Sequence, residues 1–427
     1  MQSVENPEPH LEKSCDVLVI GSGGAAMCAA ITAKKAGLDV IIAEKQPVFG
    51  GTTATSGGML WIPGNHKSAA LQERLGEPDD RETVTRYIID EAGNFADIDR
   101  IEAYLDYGPE MVAFLEKETH VEFNAVEYPD YNMLHPDGRR ARSLIAKEYN
   151  AGVLGKHFKD LKPELQQLLF LGFAIGSSVE MQQFFRAGRS PKAFIQVAGK
   201  MAKHIIDSAI HGGPRRVVRG RALITRLAQT VFELEIPLLL SSPAVELIKE
   251  GERVTGAVIE GLDGPMKIRA KKAVILGAGG FPHDSMRRQE AYPDNAFDGI
   301  NRSVANPGNT GDSADMVEKI GGVFSSDIKE AGAWMPASRV PGIDGPDGVW
   351  PHLVDRLKPG FVCLTPKGER FVNESSAYSH FVPEIFAASP AEPIAYAWLI
   401  GEKAAVDKWG IGRVRPKPLP RSSYVKS

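Results

Sequence analysis

Apolar positions cluster at Cys15–Ile20 (CDVLVI), a run with the β-rich content of a buried strand. GSGGAA follows at residues 21–26, and an Ala-rich stretch then continues to Ala36 with helical character. Gly37 ends it, and LDVIIA at residues 38–43 reads as a second strand. Strand, glycine turn, helix and strand make a βαβ unit. A Gly/Thr/Ser-rich loop occupies residues 46–65. The spacing in RYIIDEA and EMVAFLEK predicts helix over residues 80–118, and residues 121–155 read as irregular. Residues 160–210 read as helical with Gly and Pro breaks. Alternation returns at residues 235–276 (IPLLLSS, AVELIKE, RVTGAVIE, MKIRA, KAVILGAGG) and predicts a small β-meander rejoining the first sheet. Past residue 330, Pro and Gly separate short strands such as GFVCLT and AYAWLI. The expected organisation is α/β, with one domain at residues 1–332 and a second at 333–427.

Composition narrows the class. Apolar content of 43% and charged content of 24% fit a folded globular chain and exclude disorder as the main state. A net charge of −4 argues against a nucleic-acid binder, which carries a basic excess. Cys15, Cys28 and Cys363 match no zinc or redox spacing and are too few for a disulfide framework. A reducing cytoplasm is therefore the simplest expectation, and the polar, acidic N-terminus shows no basic-then-apolar pattern. The longest apolar run, Leu168 to Ile175, is interrupted by Gly172 and is too short to span a bilayer.

The turn Gly21-Ser22-Gly23-Gly24-Ala25-Ala26 fits G-x-G-x-x-A. In that pattern the first glycine permits the sharp turn, the second admits a pyrophosphate, and the third small residue lets helix and strand pack closely. The helix N-terminus then offers free N–H groups to phosphate. Glu44 ends the next strand, where a carboxylate accepts hydrogen bonds from a ribose. Gly50-Gly51-Thr52-Thr53 and Ser56-Gly57-Gly58 follow at once, which suggests a long ligand running down the sheet edge.

Together, DVLVIGSGGAAMCAA, EKQPVFGGTTATSGG, AVILGAGGF and NPGNTGDSADM resemble the flavoprotein subunits of the fumarate reductase and succinate dehydrogenase family. TTATSGGMLWIPGN, YPDYNMLHPDGRRARSL, RGRALITRL and GERFVNESSAY are similar, within it, to 3-ketosteroid Δ1-dehydrogenases. The resemblance implies non-covalent FAD, a Rossmann-like FAD-binding domain and an inserted α+β catalytic domain, here incomplete. It puts cofactor contacts at Gly21, Gly23, Gly24, Ala25, Ala26, Glu44 and Lys45. It adds Gly50, Gly51, Thr52, Thr53, Ser56, Gly57 and Gly58, then Val245, Gly279, Gly280 and Asp312. It implies Tyr378 as the base that takes the steroid C2 proton while hydride leaves C1 for the flavin, with Tyr131 supporting it. An apolar substrate such as a steroid and an unidentified electron acceptor are the implied partners.

The family's closing C-terminal segment, with the donors that polarise the C3 ketone, has no counterpart in VRPKPLPRSSYVKS, where Tyr424 is a poor substitute. A truncated member is therefore expected. Reduction of an α,β-unsaturated acid is the sister reading, though Ala333-Trp334-Met335-Pro336 stands where fumarate reductases place a His-Pro-Thr-like segment. A flavin-fold remnant that acts as a binding protein is the reading from another class. Arg215, Arg216, Arg219 and Arg221 read as a solvated cluster at a helix start, with FAD phosphates or an anionic membrane surface as alternatives. Leu165 to Phe185 reads as a buried packing helix, with a steroid entrance or a peripheral membrane contact as alternatives. His204 and His211 lack a third ligand nearby, and no metal is expected.

Overall fold

The computed structural model describes residues 11–188, 190–261, 264–296, 302–325, 331–343 and 348–417. The extreme N-terminus and Tyr424 lie outside them. The βαβ unit is β1 (Leu11–Ile20), α1 (Gly24–Lys35) and β2 (Val40–Ala43). β1 pairs in parallel with β2 on one side and with the strand Gly264–Leu276 on the other. Antiparallel Arg253–Gly261 and Ala244–Glu250 extend that second side, and Leu238–Leu239 extends the first, completing a six-stranded sheet. The predicted meander is therefore a true extension of the parallel core.

Side-chain alternation along β1 explains both faces. Val17 and Val19 join Ala30 and Ile31 of α1 and Leu227, Ala228 and Val231 of the helix Arg219–Glu233 in one core. Leu18 and Ile20 face the opposite way, into a second core with Ile259, Ile268 and Met316. Because β1 is buried on both faces, it reads as a continuous apolar run rather than an alternating one.

Five expectations need correction. The loop at 46–65 holds a helix, Gly51–Thr55, and a strand, Met59–Trp61. The irregular stretch 121–155 holds the strands Phe123–Ala125 and Ser143–Ala146, which form a small sheet with Met59–Trp61. The helical stretch at 80–118 is two helices, Arg81–Ala92 and Ile98–Glu118, broken at Gly93 and each capped by an aspartate, Asp80 and Asp97. Residues 161–177 hold no α-helix, only a single 3-10 turn at Gln166–Leu168. Leu169–Phe170 and Phe173–Ala174 form a small hairpin, closed by Leu171 and Gly172 at positive φ. Helix begins only at Ser178–Arg186 and Pro191–His211. Leu171 is 62% exposed, so this segment is not a buried packing helix. The arginine cluster is not solvated either. Arg216 pairs with Glu148 and Glu180, Arg219 pairs with Glu164, and Arg221 donates to the Lys162 carbonyl. Burial pushes Arg221 below its ordinary value.

Candidate active site

The carboxyl ends of β1 and β2 open onto a cavity of about 360 Å³, the place where open α/β sheets bind ligands. Gly21 turns the chain there with φ +103, and a Cβ on it would lie 2.4 Å from the Gly277 carbonyl oxygen. Gly23, Gly24 and Ala25 begin α1 and line the cavity. The Gly24 N–H donates to Thr53 Oγ1 at 3.1 Å, tying α1 to α2 (Gly51–Thr55). Glu44 is buried. Its carboxylate accepts from Ser22 Oγ at 2.5 Å and from the Gln46 N–H at 2.8 Å. Lys45 Nζ bridges Asp312 Oδ2 at 2.5 Å and donates to Thr310 Oγ1 at 2.8 Å.

Gly51, Thr52 and Gly279 complete the wall. Other expected contacts lie elsewhere. Ala26 packs behind the turn, so close that a Cβ on Gly277 would sit 2.8 Å from its own. Gly50 and Gly58 face the helix Arg219–Glu233: their Cβ atoms would lie 3.0 Å from Ile224 and 2.2 Å from the Gly220 nitrogen. Ser56 caps this turn by accepting from the Gly58 N–H, with Gly57 between them. Val245 follows Ala244, which does line the cavity. Gly280 lines a larger cavity next door. Sequence reasoning missed Asn306 and Asn309, which both donate to Thr52 Oγ1, at 3.0 and 3.1 Å. The NPGN segment carried that signal, because Pro-Gly-Asn marks a tight turn that aims its own polar groups inward.

The larger cavity, about 1010 Å³, meets the first at Thr52. Its wall includes Phe281, Trp334, Met335, Phe381, Phe386 and Trp398. Phe381 belongs to the helix Tyr378–Ala388, whose first residue makes the contact of most interest. The Tyr378 hydroxyl is hydrogen-bonded to that of Tyr131, with the rings edge to face at 5.1 Å between centroids. Half of Tyr131 is open to solvent. Burial and the shared hydrogen bond push the Tyr131 hydroxyl above the ordinary tyrosine value, so it keeps its proton.

Both tyrosines are held from behind. Asp130 accepts from Trp61 Nε1 at 2.7 Å, the Arg139 N–H at 2.9 Å and Arg142 Nη1 at 2.6 Å. Arg142 is 0% exposed and also forks onto Asp79. On the other side, Arg356 Nη1 donates to the carbonyls of Glu374 and Ser376, bracing the turn that delivers Tyr378. Among the described residues, no group of three or more His, Cys, Asp or Glu is placed to hold a metal, and no helix is long and apolar enough to cross a membrane.

A glycine-turn cradle at the sheet's carboxyl edge adjoins a large cavity. The tyrosine pair stands at the start of a helix whose Phe381 and Phe386 line that cavity, though neither tyrosine lines it; the arrangement suits a dinucleotide-dependent oxidoreductase. A family model described as "FAD binding domain" matches residues 16–415, and the chain belongs to that family. Its cofactor is FAD. The chain is 34% identical to a 4-oxocyclohex-2-ene-1-carboxylate 5-dehydrogenase from Sinomonas cyclohexanicum, over 97% of this chain and 69% of that one. It is 31% identical to a 3-oxosteroid 1-dehydrogenase from Mycolicibacterium smegmatis, over 96% and 72%. The fold is similar to a crystal structure of 3-ketosteroid Δ1-dehydrogenase from Sterolibacterium denitrificans in complex with 1,4-androstadiene-3,17-dione. The TM-score is 0.84 at 27% identity, covering 97% of this chain and 73% of that one.

Proposed function

We propose that this chain desaturates the carbon–carbon bond next to a ring ketone, with a 3-oxosteroid as the substrate that its large apolar cavity suits. The observation that carries the reading is the Tyr131–Tyr378 hydrogen bond, made by residues 247 positions apart. A ketone acidifies the neighbouring C–H, and a base within hydrogen-bond reach takes that proton. Tyr378 is that base. A tyrosine with a pKa of about 10 needs help to serve as a phenolate near neutral pH. Tyr131 supplies it, because a hydroxyl that keeps its proton can donate to the phenolate oxygen. The Tyr378 position at a helix N-terminus also favours negative charge there.

The cradle residues fit FAD. Gly21, Gly23, Gly24 and Ala25 would bring backbone to the pyrophosphate, and Glu44 would hold the ribose. Lys45, Thr52, Thr53, Gly279 and Asp312 close the sides. A cradle that tolerates no Cβ at Gly21 and buries one carboxylate suits a dinucleotide. FAD, when bound, supplies the hydride acceptor.

A second reading has a smaller ring that carries a carboxylate, the substrate type named for the Sinomonas relative. The arginines on the cavity wall favour it. The test uses the FAD-loaded chain without oxygen. A 3-oxosteroid should bleach the visible flavin bands, and Tyr378→Phe should keep the bands but not bleach. Bands that survive both a 3-oxosteroid and a ring oxo-acid would overturn the reading.

A further inference from the structure

Most of the large cavity's wall is apolar, yet five arginines reach it. Among the described residues that line it there is no aspartate and no glutamate. A low-dielectric wall with one sign of charge concentrates the opposite sign. Two of the arginines, Arg339 and Arg413, have no carboxylate partner among the described residues. The glycine-turn cavity lies next to it, and among the described residues the two share only Thr52 in their walls.

Beside these two arginines runs a chain of hydrogen bonds. Ser338 is exposed on the strand Ala337–Arg339, which pairs with Val349–Pro351. Its Oγ lies 2.7 Å from His352 Nε2, and His352 Nδ1 lies 3.0 Å from Asp355 Oδ2. Asp355 is 6% exposed and also accepts from Trp350 Nε1 at 3.0 Å, Lys358 Nζ at 2.9 Å and the Gly412 N–H at 3.2 Å. Burial pushes the Asp355 carboxyl up. The bonds and charges of His352 and Lys358 outweigh burial and hold it well below the usual carboxylate range. An ionised Asp355 can only accept, so His352 carries its proton on Nδ1 and turns Nε2 toward Ser338. Gly412 backs this ring, since a Cβ there would lie 3.6 Å from His352 Cε1, and Arg413 is the next residue.

We propose that Ser338, backed by His352 and Asp355 and flanked by Arg413, is the seat of a carboxylate carried by the substrate. This rests on the ring-ketone reading and narrows it to an oxo-acid. The Ser338 hydroxyl can give its proton either to His352 Nε2 or to the ligand, and the arginine beside it supplies the opposite charge. A neutral 3-oxosteroid gives these groups no anion to bind. Two sources carry the required chemistry: a small ring such as 4-oxocyclohexanecarboxylate, and a 3-oxosteroid whose side chain ends in a carboxylate.

Calorimetric titration of the FAD-loaded chain separates them. Each acid is compared with its own methyl ester. In one pair the acid should bind roughly 10–100-fold tighter than the ester, the scale of hydrogen bonds to a charged group. The pair that shows it names the source. Arg413→Ala and His352→Phe should each move that ratio toward one, and Arg413→Lys should recover part of it. Equal affinities within both pairs overturn the proposal, as does a ratio that Arg413→Ala leaves unchanged. Loss of flavin absorbance from the Arg413→Ala protein before any ligand is added would assign the arginine to the cofactor, and overturn it too. Tight acid binding with no flavin bleaching would sink the desaturation reading and leave the carboxylate seat standing.

Discussion

The cradle at the end of β1 and the tyrosine pair at the start of the helix Tyr378–Ala388 are built from different material. The cradle is mostly backbone: a glycine turn, the first N–H groups of α1, the start of α2 at Gly51 and the turn at Gly279. Its main parts lie close together in the chain. The pair is all side chain, one tyrosine from an irregular segment and one from a helix start far downstream. A backbone site resists deletion of side chains but not insertion of one. A side-chain site has the opposite weakness. It also depends on whatever holds its bearers in place.

The sharpest test removes one oxygen. Tyr378→Phe keeps the ring packed but removes the proposed base. A positioned general base contributes about 10²–10⁴-fold in rate, and turnover should fall by that factor. FAD retention, read from the visible spectrum after desalting, should not change. Loss of flavin together with turnover would mean that the two regions are not separable.

Next is the support behind Tyr131. Arg142 has no exposure and neutralises both Asp79 and Asp130. Arg142→Met strands two buried carboxylates, and breaking a buried pair in this way costs about 3–5 kcal/mol. Denaturant unfolding should show that loss. If the variant stays folded, the desaturation rate should drop more than FAD affinity, because Asp130 is the direct neighbour of Tyr131.

The cradle's own weakness is insertion. At Gly21 the backbone φ of +103 disfavours any side chain, and a Cβ meets the Gly277 carbonyl at 2.4 Å. Gly21→Val should cost about 1–3 kcal/mol by overpacking, with backbone strain added, and should weaken FAD retention. A spectrum with undiminished flavin bands would contradict the backbone-built account.

This division of material also governs what the chain disclosed in advance. The glycine turn, β2 and the meander were legible because their signals are local: one turn geometry and a period of two along each strand. Tyr131 and Tyr378 were found only through a resemblance, since no spacing rule joins residues so far apart. The hairpin at 169–174 passed for helix because a short apolar run has no period of its own, and only the Leu171–Gly172 turn decides it. Arg216 and Arg219 read as solvated because their glutamates, Glu148, Glu180 and Glu164, arrive from other segments. Ser338, His352 and Asp355 went unread for the same reason: a strand pairing brings Ser338 to His352, and no local pattern announces it.

The smallest effect is expected where a side chain is deleted from the cradle. Thr53 Oγ1 accepts from the Gly24 N–H at 3.1 Å, one of the free donors at the start of α1. Thr53→Ala removes that acceptor and costs one ordinary hydrogen bond, about 1 kcal/mol of stability. The freed N–H then lies at a helix N-terminus, where a phosphate oxygen can take it. The two effects oppose each other in FAD binding, and the dissociation constant should move by less than about tenfold, the equivalent of one such bond. Fluorescence titration of the variant with FAD measures it. A much larger loss would show that the Thr53 side chain itself grips the cofactor, and that the cradle is less purely backbone than its geometry implies.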